Sequence, residues 1–77
     1  MTHGPTPDPA LAATLRRLRE ARGLTQEQLA HDAGITMGTL SKIETMTAAP
    51  AWLTVRQIAD ALGVSLSELA AAVESEH

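Results

Sequence analysis

Residues Gln26 to Thr45 read QEQLAHDAGITMGTLSKIET, two short amphipathic segments hinged at Gly34. Leu29, Ala30 and Ala33 before the hinge, and Ile35, Leu40 and Ile43 after it, fall at helical spacing and give each segment one apolar stripe. Thr25 with Gln28 three residues later is a capping-box pattern that opens the first helix. Thr36 caps the second; its hydroxyl is placed to accept from the backbone N–H of Gly38 or Thr39, which predicts a helix from Met37 to Glu44. Gly34 stops the first helix, because a residue without Cβ enters the left-handed region cheaply, and the turn sends Ile35 inward between the two helices. Ala30 is small where steeply crossing helices come nearest. Ala30 and Gly34 are thus the structural positions of a tight helical hairpin.

The flanking sequence frames that hairpin. THGPTPDP, residues 2–9, has three prolines, one glycine and no periodicity, which predicts a flexible arm over 1–8 ahead of one helical domain over 9–77. Asp8 caps the first helix, Pro9 takes its first position, and Leu11, Leu15 and Leu18 form a core stripe up to Gly23, with Leu24 as the apolar partner of that stop. TMTAAPAW, residues 45–52, is a connector interrupted by Pro50; Val55, Ile58, Ala59 and Leu62 then mark a fourth helix, and Gly63 ends it. Ser65 with Glu68 is a second capping box, opening a fifth helix with Leu66, Leu69 and Val73 inside. No stretch alternates with period two, so the expected fold class is all-α, five helices in a compact bundle.

Seventy-seven residues suffice for one modest core and leave no room for an enzyme lobe. With no cysteine there is neither a disulfide framework nor a thiolate metal site. No apolar run approaches a membrane span and no basic-then-apolar leader opens the chain, so a cytoplasmic protein is expected. His3, His31 and His77 are scattered, and no serine, histidine and acid are grouped as a nucleophile would need. No metal, cofactor, catalytic residue or small-molecule site is therefore expected.

From about Leu11 to Leu69 the chain resembles the small Cro and phage-repressor, or Xre-like, helix-turn-helix regulators. The matching pieces are LRRLREARGLTQEQLA, AGITMGTLSKIE and PAWLTVRQIADALGVSLSEL, in the family's order and spacing. The resemblance implies a five-helix, lambda-repressor-like DNA-binding domain whose third helix enters the major groove of double-stranded DNA, as a homodimer on an inverted-repeat operator, acting as a repressor or autoregulator. It also implies roles. Gln26 matches the glutamine that opens the family's second helix and reaches a phosphate or buttresses the base-reading side chains. Thr36, Met37, Gly38, Ser41 and Lys42 match the groove-facing side of the recognition helix, with Thr45 one turn further along. Arg19 and Glu44 match a partly buried salt bridge joining helix one to the end of helix three; the alternative is two exposed charges. Arg16, Arg17 and Arg22 face phosphate or are simply solvated. Trp52 matches a core position beside helix four. Leu53 is expected to be exposed and, with Leu66 on the apolar flank of helix five, forms either a dimer patch or a singly exposed leucine of no consequence.

The departures from the family pattern matter. Neither Met37 nor Gly38 makes a bidentate bond to a base edge, which leaves apolar contact with thymine methyl groups, close backbone approach and DNA shape to carry selectivity. In the connector, Met46, Thr47 and Ala48 stand where relatives carry a glycine and basic residues. Only the Thr45 and Thr47 hydroxyls and backbone N–H groups then remain to meet phosphate. If the loop keeps a positive φ, a residue other than glycine there is strained by about 1 kcal/mol. The net charge of −3 excludes nonspecific electrostatic coating of DNA, so any binding is local. The same features favour the alternative of a protein-interaction module on this fold, antitoxin-like or an accessory subunit.

Overall fold

The computed structural model describes residues 8–76. Apart from Asp8, the arm expected over residues 1–8 lies outside them, as do His3 and His77. Five helices follow in order: α1 Pro9–Ala21, α2 Gln26–Ala33, α3 Met37–Glu44, α4 Trp52–Leu62 and α5 Leu66–Ser75. There is no strand among the described residues.

Local chemistry sets the helix starts. Asp8 Oδ1 accepts the Ala10 N–H at 2.9 Å with Pro9 at the first position of α1. Thr25 and Gln28 exchange both capping-box bonds, at 3.1 and 2.8 Å, and Ser65 and Glu68 do the same at 3.0 and 2.8 Å. Those bonds from Ser65 hold the Glu68 carboxyl below its ordinary range. The stabilisation they supply is complete above the ordinary carboxylate pKa and lost as pH falls through the lowered one. Thr36 Oγ1 accepts from Thr39 N at 3.0 Å, the second of the two donors expected for it. Only α4 starts without a side-chain cap, at Ala51.

Four of the five helices stop in one way. After α1, α2, α3 and α4 a residue at positive φ bonds back three residues, and the next N–H bonds back five: Gly23 and Leu24, Gly34 and Ile35, Met46 and Thr47, Gly63 and Val64. Leu24, Ile35 and Val64 turn inward against the core, as expected of Leu24 and Ile35. Met46, at φ 63°, is the non-glycine among them, so the connector keeps the left-handed residue and carries strain of about 1 kcal/mol.

Leu15, Leu29, Leu40 and Ile58, one each from α1 to α4, are fully buried and meet Leu69 of α5. Around them α2 packs on α3 and α4, α1 packs on α3 and α5, and α4 packs on α5. Trp52 departs from its expected place in that core: it is 67% exposed. The buried side of α4 runs through Ile58, Ala59 and Leu62, and Trp52 sits at the first helical position beyond it, over a groove between α4, α5 and the start of α1. That groove, of about 310 Å³, is lined by Leu11, Val55, Leu66, Leu69 and Val73 with Trp52 on its edge.

Among the described residues one buried side-chain polar atom lacks compensation. Thr14 is 0% exposed and its Oγ1 has no hydrogen-bond partner, a burial that costs on the order of 1 kcal/mol or more. Thr14→Val, which keeps the shape and removes the orphan, is expected to raise unfolding free energy in urea by about 1 kcal/mol. A fall in stability would show instead that the hydroxyl holds a bond.

Candidate nucleic-acid interface

The hairpin of α2 and α3 presents one side of α3 outward. Leu40, Ile43 and Glu44 are buried, whereas Met37, Gly38, Thr39, Lys42 and Thr45 are exposed and Ser41 is half-buried. Met37, Ser41 and Thr45, with Gly38 and Lys42 alongside, share a face because residues three and four apart stack along a helix. Thr36, the cap, completes it at the N-terminal end and donates or accepts a further bond with the Thr39 hydroxyl at 2.8 Å.

The two ends of α3 differ in what they offer. At the start, the Met37 and Gly38 N–H groups have no intrahelical acceptor and no other partner among the described residues, so two backbone donors point outward. Gly38 adopts no positive φ, and a Cβ built on it meets only Thr36 Oγ1, at 3.9 Å. The fold itself thus has no need of glycine at this position. At the end, the donors are spent. Thr45, Met46, Thr47 and Ala48 N–H groups all bond back to carbonyls of Ser41, Lys42 or Ile43. The Thr45 hydroxyl donates to Ser41 O at 2.8 Å, so in its 3.0 Å pair with Thr47 the Thr47 hydroxyl is the donor. The expectation of free connector N–H groups is corrected for residues 45–48, where helix termination uses them.

α3 is anchored by a buried charge cluster. Arg19 Nε and Nη2 donate to Glu44 Oε2 and Oε1 at 2.9 and 3.0 Å, while Nη1 donates to Leu24 O at 2.8 Å. The two side chains are 10% and 2% exposed, which decides for the salt bridge over two surface charges. Hydrogen bonding to Glu44 holds the Arg19 guanidinium above its ordinary range against the opposing effect of burial. Gln26 Nε2 donates to the same Glu44 Oε1 at 3.1 Å. Gln26 is therefore tied to the end of α3, and one N–H and its amide oxygen are left for any further partner.

The remaining cations are few. Arg16 pairs with Glu20 at 3.7 Å and Arg17 with Glu76 at 2.9 Å, and Arg22 reaches Leu18 O at 3.2 Å. Lys42 is exposed and has no ion pair among the described residues. Two exposed groups escape the reading of the sequence alone. Thr39 follows from the Thr36 cap that it serves, and Arg56, the one arginine beyond residue 22, follows from its place between the inward Val55 and Ile58 on α4. No group of three His, Cys, Asp or Glu side chains is placed to share a metal, and no helix is long and apolar enough to cross a membrane, among the described residues.

A domain model described as a helix-turn-helix domain matches residues 10–72, and the chain belongs to that family. It is a DNA-binding transcriptional regulator of the Xre-like kind, in a family of DNA-binding regulators rather than of enzymes. An uncharacterized HTH-type transcriptional regulator, y4dJ of Sinorhizobium fredii, is 37% identical over 59 residues, 77% of each chain. The structure is similar to that of the clp gene regulator ClgR from Corynebacterium glutamicum, with a TM-score of 0.81 and 27% identity over 92% of this chain and 78% of that one. It is also similar to the restriction-modification controller protein C.AhdI from Aeromonas hydrophila, with a TM-score of 0.76 and 30% identity over 79% of this chain and 92% of the other.

The charge cluster generates a direct test. Glu44→Ala leaves Arg19 buried without its carboxylate and is expected to cost about 3 kcal/mol of stability. Arg19→Met with Glu44→Leu together is expected to cost less than the two single changes added, a coupling that a double-mutant cycle by denaturant titration reads directly.

Proposed function

We propose that this regulator reads specific DNA sequences by inserting α3 into the major groove, as a homodimer on an inverted repeat, and acts as a repressor or autoregulator. The observation that carries the reading is the anchoring of α3: Arg19, itself held by Leu24 O, and Gln26 grip its last turn through Glu44, while its opposite side stands exposed. A helix that must keep register in a groove needs such rigidity. The similarity to a clp gene regulator and a restriction-modification controller protein supports the same reading.

On this reading Lys42 is the principal phosphate-facing cation, Ser41 and Thr36 bond base edges or phosphate, and Met37 touches thymine methyl groups. The open N–H groups of Met37 and Gly38 meet a phosphate at the helix start, and the missing side chain at Gly38 lets the DNA backbone come close. Gln26 presents its remaining amide atoms from the adjoining start of α2. Thr45 and Thr47 contribute acceptors, and their hydroxyl protons reach phosphate only by leaving their present partners. The five helices, with Asp8 capping the first, act as the binding domain. Leu53, 62% exposed, and Trp52 beside the groove that Leu66 lines form the surface for the second copy. A two-fold axis there sets recognition helices about 34 Å apart, one turn of DNA.

Selection from a random-sequence duplex pool is expected to return an inverted repeat. Lys42→Ala is expected to weaken binding to all recovered sequences, and Gly38→Ala to weaken it while leaving the melting temperature unchanged or higher. The salt dependence is expected to be shallow, with two or three phosphates neutralised per subunit at roughly −0.9 each on the log–log slope. Sedimentation of the wild type as a dimer and of Leu53→Glu as a monomer completes the test. A pool without an enriched repeat, and Lys42→Ala binding like wild type, would refute the DNA-reading assignment.

A further inference from the structure

The stop after α3 departs from the other three of its kind in both residues that build it. After α1, α2 and α4 a glycine takes the positive φ, and the apolar residue that follows packs on the core. After α3 the order is inverted: the apolar Met46 takes φ 63° and is 41% exposed, and an exposed Thr47 stands where the inward closure stands elsewhere. Met46 thus accepts a left-handed backbone while its side chain stays only partly covered. It lies two residues beyond the end of α3. Its neighbours have no donor free to take over that position, because the N–H groups of residues 45–48 and both threonine hydroxyl protons are bonded inward. Between the exposed Thr45 and Thr47, the apolar group presented here is the Met46 thioether side chain.

We propose that Met46 is a DNA-contact residue, its side chain lying against deoxyribose and thymine methyl groups beside the C-terminal end of α3. The proposal rests on the DNA-reading function above and names the group by which an uncharged connector meets its target. A long, polarizable, unbranched side chain suits apolar contact with a thymine methyl. A left-handed non-glycine residue whose apolar side chain is left partly exposed is the kind of local conflict that marks a site in use. Met37, 51% exposed, stands at the opposite end of the same helix, so α3 meets DNA with a methionine at each end and Lys42 between them.

Three proteins test this, wild type, Met46→Gly and Met46→Leu, with the duplexes that wild type recovers from a random-sequence pool as the probe. Met46→Gly relieves the backbone and removes the contact: it is expected to melt at a higher temperature yet bind those duplexes roughly fivefold more weakly, the loss of one buried apolar contact. Its salt slope is expected to match wild type, since no charge is removed. Met46→Leu keeps an apolar side chain on the same backbone and is expected to bind within about twofold of wild type. Met46→Gly binding as tightly as wild type, or Met46→Leu losing as much as the glycine variant, overturns the contact. Tight wild-type binding with an indifferent Met46→Gly removes this proposal alone, whereas a wild type that enriches no duplex overturns the DNA-reading function and this role with it.

Discussion

The structure depends on one buried ion pair. Arg19 and Glu44 meet through two parallel hydrogen bonds of 2.9 and 3.0 Å, a fork-on-carboxylate geometry that fixes orientation as well as distance. Its net stabilisation is small, because both ions lose water. Its consequence is geometric. Arg19 also holds Leu24 O at the corner between α1 and α2, and Gln26 at the start of α2 shares the same carboxylate, so three helices are tied where α3 ends. Without it, Leu40 and Ile43 alone would set the roll of an eight-residue helix, and apolar packing is far less directional than a bidentate bond.

That anchoring has a chemical counterpart on the outer side of α3, which is poor in charge. Three of the five arginines are paired with carboxylates, leaving Lys42, Arg22 and Arg56 without an ion pair among the described residues. A surface of hydroxyls, methionines and open backbone N–H groups gains little from long-range attraction and relies on close fit, so the proposed recognition depends on a rigid helix more than it would in a strongly basic domain. Gly38 and Met46 show the same economy from opposite directions. Gly38 lacks a side chain where the fold has room for one, and Met46 has one where the backbone favours none.

The apolar groove between α4, α5 and the start of α1 belongs to a different part of the molecule. Trp52 is the large apolar side chain on its edge that stays exposed, with the exposed Leu53 next to it in α4, whereas Leu66 and Val73 are already half-buried in the bundle. Its position, on elements other than α3, allows the proposed self-association and the proposed DNA contact to operate together.

Caps, stops and stripes were legible in the sequence because they are local. Asp8, Thr25, Thr36 and Ser65 each act within three residues, and Gly23, Gly34 and Gly63 answer a backbone requirement that no distant contact alters. The bounds Met37 to Glu44 followed from that alone, and the candidate side of α3 followed from periodicity together with family resemblance. What needed the tertiary structure were matters of pairing and depth. Trp52 has the composition of a core residue but starts its helix one turn beyond the covered stripe, and only the placement of α5 and α1 shows that the groove there is left open. The sharing of Glu44 by Arg19 and Gln26, the orphaned Thr14 hydroxyl and the inward commitment of the N–H groups of residues 45–48 are likewise three-dimensional facts. A sequence states which donors and acceptors exist; which of them meet is decided when helices distant in the chain pack side by side.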